Sequence, residues 1–479
     1  GDNQNLRPDD NYTQAAVNGA SHGIVSTIGY NSFTVKDGGS SGNNVGSTGT
    51  DNYVAWHWKA GGNKNTFNVD DVGYANASDV NMNVGALNSS AYDTSDTWSD
   101  DLSSPNGAYN NSPITNAFNG SLSNGFESGN PSGNYSTIRF QPATPITVNT
   151  QIRIYVFDLN DSNVTYQYRV NDGSWTSMPG PSSPYLRWQD LGFTGTLNSF
   201  EYRSNTSITY KPTLYAVEID GKRLVDSGTD LSGLTQYPAV ANTGCSVGTK
   251  QGFSITKFTT GSGTSGGATI AHGLNSKPSM YMYKPISTSG EWVVVHSANY
   301  KRFGYLNDTI NFRTISGQGG GTAADPTDKV LSIYDLGVTL ASKDYICYAW
   351  SDVPGMQRFG RYEGSGVAGN YVHLGFRPAL LWIKSFDSTS IQNWGIIDST
   401  RSYANPGNHT LATNLNNPES YFGDGASVFG SSNKIDLLSD GFRLQETSGF
   451  GNTSGITFIY CAWAEAPQFN LYGGQSNAR

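Results

Sequence analysis

The segment Ile346-Cys347-Tyr348-Ala349-Trp350, followed by Ser351-Asp352-Val353-Pro354, occurs a second time as Ile459-Tyr460-Cys461-Ala462-Trp463, followed by Ala464-Glu465-Ala466-Pro467. In both copies a proline stands four residues after the tryptophan. A short apolar run that is almost uninterrupted predicts a strand covered on both faces. Because the strand is repeated together with its flanking residues, the sequence predicts a repeated structural module.

Equal spacings extend the two copies toward the N-terminus. Pro278 and Pro378 each begin an apolar run that ends at Lys284 or Lys384, respectively. Further along, His296 and Asp398 occupy equivalent positions, each four residues after a tryptophan. Two different polar residues in one position favour a local hydrogen-bonding role over a catalytic one.

A third, partial copy precedes these two. Tyr53-Val54-Ala55-Trp56 resembles the closing strand, but Trp56 and Trp350 are separated by about 181 residues more than Trp350 and Trp463. This difference predicts an insertion near residues 69–249. We also predict that Trp56, Trp350 and Trp463 anchor sandwich cores, because aromatic side chains mostly build cores.

These spacings together predict an all-β protein of tandem β-sandwich modules, jelly-roll-like, with one inserted β-sandwich domain. Residues 1–68 would form the second half of a module, and 69–249 the inserted domain with its linkers. Residues 250–355 and 356–479 would form two complete modules, the latter with a C-terminal tail. Since the sequence begins at Gly1 and not at Met, we expect a processed product or a fragment of a longer protein.

The composition supports many short strands and limits the classes of function. The chain has 479 residues, of which 57 are glycine, only 14% are charged and 12% are aromatic, with a net charge of -9. Such glycine and aromatic content favours tight turns around packed cores. The acidic balance argues against nucleic acid as a partner, and no apolar run is long enough for membrane insertion.

The insertion has strand and turn signals of its own. Ser136–Phe140 and Ile152–Val156 alternate apolar and polar residues, which is typical of strands with one buried face. Asp172-Gly173 and Asp220-Gly221 lie between strand-like runs. Both pairs predict two-residue hairpin turns, since Asp followed by Gly suits the positive φ angles of such turns.

Several segments carry a resemblance to a known group. They are Trp56-His-Trp-Lys-Ala-Gly-Gly62, Asp398-Ser-Thr-Arg401, Asp440-Gly-Phe442 and Ser476-Asn-Ala-Arg479. With them, residues 25–75 and 250–479 resemble a repeat of marine, cyanophage-like bacteriophage virion proteins. The resemblance implies a tail fibre or other structural component and no reaction. Within the insertion, Ala117–Leu122 and Val217–Lys222 distantly resemble a galactose-binding-type jelly roll.

No pattern predicts catalysis. Gly474-Gln-Ser-Asn477 resembles an esterase nucleophile motif, but such a serine needs a following helix and a distant histidine base, and the sequence ends at Arg479. The histidines and the three cysteines lack metal-ligand spacing, so we predict no metal site and buried thiols at Cys245, Cys347 and Cys461. No cofactor is expected. A loop calcium remains open at two groups of carboxylates, Asp93, Asp96, Asp100 and Asp101, and Asp158, Asp161 and Asp172.

Aromatic residues in turn-rich stretches of the insertion are candidates for sugar binding. An apolar sugar face stacks on an aromatic ring, while Asn, Asp and Ser orient its hydroxyls. We predict a glycan site among Trp98, Tyr109, Trp175, Tyr185 and Trp188.

The sequence therefore favours a non-enzymatic bacteriophage virion protein for attachment to a host-surface glycan. Its expected partners are other virion proteins, the host glycan or receptor, and copies of itself, with a homotrimer suiting multivalent binding. Its expected location is the extracellular particle, assembled in the host cytoplasm. Two alternatives remain open: a purely structural capsid-decorating or tail-assembly role, and a polysaccharide depolymerase.

Overall fold

The computed structural model divides into two compact units, residues 83–239 and the remainder of the chain. It describes residues 4–5, 11, 15–16, 24–28, 32–36, 53–75, 86–88, 98–100, 114–119, 122–128, 136–142, 145–157, 164–178, 186–204, 212–220, 222–225, 238, 240–262, 267–317, 323–336, 340–388, 392–415, 419–421, 434–447 and 451–465. Apart from two short 3-10 helices, Ile114–Phe118 and Ile315–Gly317, the regular elements of these residues are strands. The all-β prediction is confirmed.

The strands are numbered along the chain. The first six are β1 Gln4–Asn5, β2 Ala15–Ala16, β3 Ile24–Ile28, β4 Phe33–Lys36, β5 Phe67–Val69 and β6 Val72–Tyr74. The unit of residues 83–239 contains β7 Ala86–Asn88, β8 Trp98–Asp100, β9 Phe126–Glu127, β10 Ser136–Phe140, β11 Ile146–Val148, β12 Ile152–Phe157, β13 Tyr166–Val170, β14 Thr176–Ser177, β15 Leu186–Asp190, β16 Gly195–Leu197, β17 Phe200–Ser204, β18 Thr213–Ile219 and β19 Lys222–Val225.

The two complete modules follow. The first contains β20 Asn242–Gly248, β21 Phe253–Thr259, β22 Gly267–Ala271, β23 Met280–Pro285, β24 Val293–His296, β25 Arg302–Tyr305, β26 Arg313–Thr314, β27 Val330–Tyr334 and β28 Asp344–Trp350. The second contains β29 Gln357–Glu363, β30 Asn370–His373, β31 Pro378–Ser385, β32 Gly395–Asp398, β33 His409–Ala412, β34 Ser420–Tyr421, β35 Ile435–Leu438, β36 Gly441–Leu444 and β37 Thr457–Ala464.

Each complete module pairs a large sheet with a small one. The first has a nine-stranded sheet in the order β26-β25-β24-β23-β28-β21-β20-β5-β6 and a small sheet of β22 and β27. The second has a six-stranded sheet in the order β29-β37-β31-β32-β33-β34 and a small sheet in the order β30-β36-β35. One apolar cluster fills each module, and the inward-facing side chains of strands such as β23 and β31 belong to it.

A third apolar cluster lies between the two large sheets and joins the modules. It contains Met280 and Trp350 of the first module together with Trp382, Ile459 and Trp463 of the second. Strand side chains alternate between faces, so β28 can supply Cys347 to its own module while Trp350 points to the other. Trp350 and Trp463, which we predicted to anchor sandwich cores, are buried in this shared cluster and not in the cluster inside either module.

The equivalent polar residues of the two modules make local hydrogen bonds, as predicted. The Nδ1 atom of His296 accepts the backbone N–H of Ala298 at 3.0 Å, and Asp398 Oδ1 accepts that of Thr400 at 3.1 Å. Burial lowers the pKa of His296 to about 4, so its ring is neutral near pH 7. The three cysteines are buried free thiols, also as predicted.

The unit of residues 83–239 is a separate β-sandwich. Its sheets run in the orders β14-β13-β17-β10-β8 and β15-β12-β18-β19-β7, with β9 on β18. Phe140 and Phe200 of one sheet pack with Ile154 and Val217 of the other. This unit is shorter than the predicted insertion 69–249, since β5, β6 and β20 at its two borders pair within the nine-stranded sheet.

Both predicted hairpins have the positive φ angles expected of such turns, in one of them shifted by one residue. Ile219 pairs with Lys222 across Asp220, whose φ is 50°. In the other, Asn171 and Asp172 have φ of 50° and 55°, and the N–H of Gly173 donates to Val170 at 3.0 Å. Asn171 thus takes the first turn position that we assigned to Asp172, because asparagine tolerates positive φ as aspartate does.

Candidate functional site

An extended segment of residues 53–60, here called the strap, forms one wall of the candidate site. Exposure alternates along it: Trp56 and Trp58 are half-buried and pack against the cluster between the modules, whereas His57 and Lys59 are exposed. The strap ends at Gly61, where a Cβ atom would approach the Asn68 carbonyl oxygen to 2.7 Å. Only glycine allows the chain to pass so closely there.

The strap holds its position through the indole of Trp58. Its ring centroid lies 5.3 Å from that of Trp463, 6.1 Å from Trp350 and 6.2 Å from Trp382, all in edge-on geometry. Edge-to-face pairs at such distances are favourable because the positive ring edge meets the negative ring face. Residues from three separate parts of the chain therefore build one tryptophan cluster.

Four indole N–H groups around this cluster are buried without a hydrogen-bond acceptor. They belong to Trp56, Trp350, Trp382 and Trp463. By contrast, the N–H of Trp394, also buried, donates to the carbonyl of Tyr305 at 2.8 Å. Buried donors are nearly always satisfied in folded proteins, so these four N–H groups are exceptions within the tryptophan cluster.

Beside the cluster lies a cavity of about 410 Å³, which falls within the range of small-ligand sites. Its lining residues are Ala55, Trp56, His57, Trp58, Lys59, Gln251, Phe253, Met356, Gln357, Ala379, Leu380, Trp463 and Ala464. We call it the strap cavity. The indoles of Trp56 and Trp463 line this cavity, although their N–H groups are themselves buried.

The polar side chains that line the strap cavity are few, and they include both donors and acceptors of hydrogen bonds. Gln357 is buried, and its side-chain NH₂ group donates hydrogen bonds to the carbonyls of Gly252 and Ser351, at 2.9 and 2.7 Å. Lys59 forms an exposed ion pair with Asp71 at 2.8 Å. None of the described residues that line the cavity is a carboxylate or a thiol. The lining is suited to binding through stacking and hydrogen bonds.

The structure does not bring the predicted sugar-binding residues together. The ring of Trp175 contacts two guanidinium groups, at 4.7 Å from Arg169 and 3.6 Å from Arg203. Trp188 packs against Tyr155 at 5.1 Å on the other sheet of the sandwich. Neither ring belongs to the core between these sheets, so the two lie on opposite outer faces.

The structure says less about the other three candidate sugar-binding residues. Trp98 begins β8, where its backbone pairs with Phe140, and Tyr109 and Tyr185 lie outside the described residues. A role in glycan binding stays a prediction for all five residues.

The described part of the chain offers no set of ligands for the loop calcium that the sequence left open. Asp172 is engaged by Arg139 at 2.7 Å, and this hydrogen bond is the main cause that holds the pKa of its carboxyl below its usual range. Asp93, Asp96, Asp101, Asp158 and Asp161 lie outside the described residues, and Asp100 is the last residue of β8. No group of three potential metal ligands occurs among the described residues.

Sequence reasoning missed the strap cavity although it noted the strap. The run Trp56-His57-Trp58 puts two indoles on one face of an extended chain, because side chains alternate. That spacing was a usable signal. Its significance was hidden because Trp350, Trp382 and Trp463 join it only through the packing of two distant modules.

Comparison with known proteins gives limited information. Residues 235–467, a little under half of the chain, match the model of a domain of unknown function, DUF7483. This match spans both complete modules. No curated protein matches the chain. No helix within the described residues has the length and apolar character needed to cross a membrane.

Two solved structures show weak similarity. One is the arabinofuranosyltransferase AftD from Mycobacteria, at 11% identity and a TM-score of 0.19, with 78% of this chain and 33% of that chain covered. The chain thus spans about a third of that protein's length. The other is Sulfolobus Turreted Icosahedral Virus, at 11% identity and a TM-score of 0.12, covering 70% and 85%. Likenesses this distant establish neither a shared fold nor a shared activity.

Proposed function

We propose that this protein is a non-enzymatic attachment component of a bacteriophage particle, a tail fibre or other appendage, and that it binds a host-surface glycan in the strap cavity. The observation that carries the glycan part is the cavity itself, walled by the indoles of Trp56, Trp58 and Trp463. Indole rings offer an apolar face to a sugar ring, and the amide and imidazole groups beside them can orient its hydroxyls.

The architecture supports binding without chemistry. The described lining offers no pair of carboxylates such as a glycosidase uses to cleave a glycosidic bond. Hydrogen bonds join the two modules across their interface. The ring of His296 bonds to the Tyr460 carbonyl at 3.3 Å, and the hydroxyl of Thr413 donates to the Leu306 carbonyl at 2.9 Å. A rigid scaffold of this kind suits a site that recognises a fixed shape.

The virion part of the proposal rests on the resemblance of residues 25–75 and 250–479 to phage repeats. Assembly into a homotrimer would present three copies of the strap cavity on one particle. Several weak contacts then act together, because the second and third bind at a high effective concentration.

Binding of host envelope polysaccharide to the purified chain tests this proposal. We expect saturable binding by isothermal titration calorimetry, weakened about tenfold or more in Trp56→Ala, with no release of reducing ends. Trp175→Ala, an exposed-face tryptophan of the separate sandwich, is the matched control and should bind normally. Absence of binding to any host glycan, together with a particle reconstruction in which the strap cavity is covered by other virion proteins, would favour the structural role instead. Release of reducing sugars would favour a depolymerase.

A further inference from the structure

A buried histidine joins the two complete modules. His296 ends β24 of the first module, and its side chain is fully buried. Its Nδ1 atom accepts the backbone N–H of Ala298 at 3.0 Å, so the ring proton belongs on Nε2. Nε2 then donates to the carbonyl of Tyr460, in β37 of the second module, at 3.3 Å. The neutral ring, in this one tautomer, satisfies both of its neighbours.

A second proton on this ring disrupts the arrangement. It would sit on Nδ1 and face the N–H of Ala298, so one hydrogen bond is lost and two donors oppose each other. The imidazolium would also be a charge buried away from water, which is costly unless a counter-charge pairs with it. This burial is the main cause that lowers the pKa of His296 from 6.5 to about 4, against the smaller effect of the Tyr460 carbonyl.

Two cations reach the same part of the junction from other strands. Arg302 of β25 extends its guanidinium into the second module, where it lies 4.9 Å from the Phe386 ring. Arg361 of β29 donates to the carbonyl of Ala298 at 3.4 Å. A cation disfavours further positive charge near it. An imidazolium at His296 would therefore gain no counter-charge from these neighbours.

Asp352 and Lys384 also titrate at this junction. The backbone N–H of Asp352 donates to Ser279 Oγ of the first module at 3.3 Å, and its Oδ1 accepts the N–H of Phe359 of the second at 2.9 Å. Burial raises the pKa of Asp352, so its protonation in acid favours the folded form. Lys384 donates to the Thr309 carbonyl at 2.9 Å, and burial lowers its pKa to about 7, which puts its effect on stability above pH 7. Neither group accounts for a loss of stability between pH 7 and pH 5.

From the buried bond between His296 and the Tyr460 carbonyl, we propose that mild acid opens the junction between the two modules, with His296 as the group that senses the proton. The closed junction holds the neutral ring, and the open junction admits the charged one. β37 carries Tyr460 and, three residues later, Trp463, which lines the strap cavity. Opening therefore also removes one wall of that cavity. Release of a glycan in acid would rest on the proposed function, whereas the opening itself does not.

The first module contains a matched histidine. His272 is buried, its Nδ1 accepts the N–H of Leu274 at 3.2 Å, and its Nε2 bonds to the Thr327 carbonyl at 3.3 Å. Burial lowers its pKa to about 4 as well. Both of its partners lie in the first module, so its protonation strains that module and not the junction. His272 is therefore the control for His296.

Two of the free cysteines report which contact opens. Cys461 lies in the cluster between the modules, with its Sγ 3.1 Å from Met280 Sδ, whereas Cys347 lies in the cluster inside the first module. Labelling of the full chain with dithiodipyridine, which reacts with thiols in mild acid as well as at neutral pH, is followed at each cysteine by peptide mass spectrometry. Each rate is divided by that of the chain in denaturant at the same pH, which removes the pH dependence of the reagent. For Cys461 we expect this relative rate to be about twentyfold higher at pH 5 than at pH 7, because the pKa of His296 is about 4 in the closed form against 6.5 in the open one.

Two variants of His296 test whether it is the sensor. His296→Asn removes the titration but keeps an acceptor for the N–H of Ala298, as Asp398 accepts that of Thr400 in the second module. His296→Gln instead keeps a donor toward the Tyr460 carbonyl. In both we expect the change between pH 5 and pH 7 to fall to about twofold or less, even where the labelling rate rises at both pH values. His272→Asn should leave the change at Cys461 as it is in the wild type.

Three results would overturn the proposal. One is a wild-type change at Cys461 of less than about fivefold between pH 7 and pH 5. Another is a wild-type change that persists in both His296 variants. The third is equal labelling of Cys347 and Cys461 at pH 5, since the first module would then unfold as a whole instead of parting from the second.

Discussion

Replacement of Trp58 by alanine should loosen the junction between the two modules. The indole is half-buried and makes three edge-on contacts, the nearest with Trp463 at 5.3 Å. Truncation of a fully buried tryptophan costs about 3–5 kcal/mol, and each aromatic pair contributes about 0.5–1.5 kcal/mol beyond burial. Because Trp58 is only half-buried, we expect the lower end, about 3 kcal/mol.

Hydrogen exchange followed by mass spectrometry is the suitable assay, since a chain with two compact units does not unfold in one step. A loss of about 3 kcal/mol corresponds to exchange about a hundredfold faster in peptides from the strap and β37, if they exchange through opening of this junction. Peptides from β12 and β18, in the separate sandwich, serve as the internal reference. The reasoning fails if exchange at the strap and β37 rises less than about tenfold, or if the reference peptides accelerate equally.

Three further outcomes are expected. In chemical denaturation, Trp382→Phe should destabilise the protein by about 1 kcal/mol less than Trp394→Phe. Only Trp394 loses a hydrogen bond, the one that its indole N–H donates to the carbonyl of Tyr305. An equal loss of stability in the two variants would contradict the unsatisfied N–H of Trp382. Burial, opposed weakly by a nearby carboxylate, lowers the pKa of Lys384 to about 7. The unfolded chain therefore binds more protons than the folded one between about pH 7 and pH 10, so stability should rise with pH across this window in the wild type but not in Lys384→Met. For Asp220, burial alone would raise the pKa, but three backbone N–H donors lower it to about 2. The stability that the ionised carboxylate contributes should therefore be complete above about pH 4 and lost toward pH 2. Asp220→Asn should lower the free energy of unfolding by about 1 kcal/mol at pH 7, measured on the thermal transition of the unit of residues 83–239 in the full chain.

Local patterns in the sequence predicted the strands well. The near-continuous run that ends at Trp463 predicted a strand covered on both faces, and β37 indeed contributes Tyr460 to one cluster and Cys461 to another. Turn chemistry likewise placed the hairpin at Asp220, because φ preferences are set by neighbouring atoms. Such features depend on a few adjacent residues and are therefore readable from sequence.

Features that depend on packing between distant segments were not predictable in the same way. An alternating strand shows which residues share a face, but not which partner covers that face. Trp350 could have faced its own module or the other, and only the assembled sheets decide that it faces Trp463 and the strap. The strap cavity exists because residues 53–60 cross this junction, a long-range contact without a local signal.

The borders of the modules also depend on long-range pairing. β5 pairs in parallel with β20, which lies far along the chain, so it belongs to the nine-stranded sheet although the spacing argument ended the first segment at residue 68. A count of residues between repeat signatures measures the length of an insertion. It does not show which flanking strands pair with each other.

The central claim is that recognition takes place in the strap cavity and not on the inserted sandwich. Hydrogen exchange of the chain with and without a saturating host-surface oligosaccharide tests it directly, because a bound ligand protects the amides that it covers or orders. We predict ligand-dependent protection at residues 55–59 and at the end of β37 near Trp463 and Ala464. Protection confined to residues 166–204, around Trp175 and Trp188, would contradict the account and place the site on the inserted sandwich.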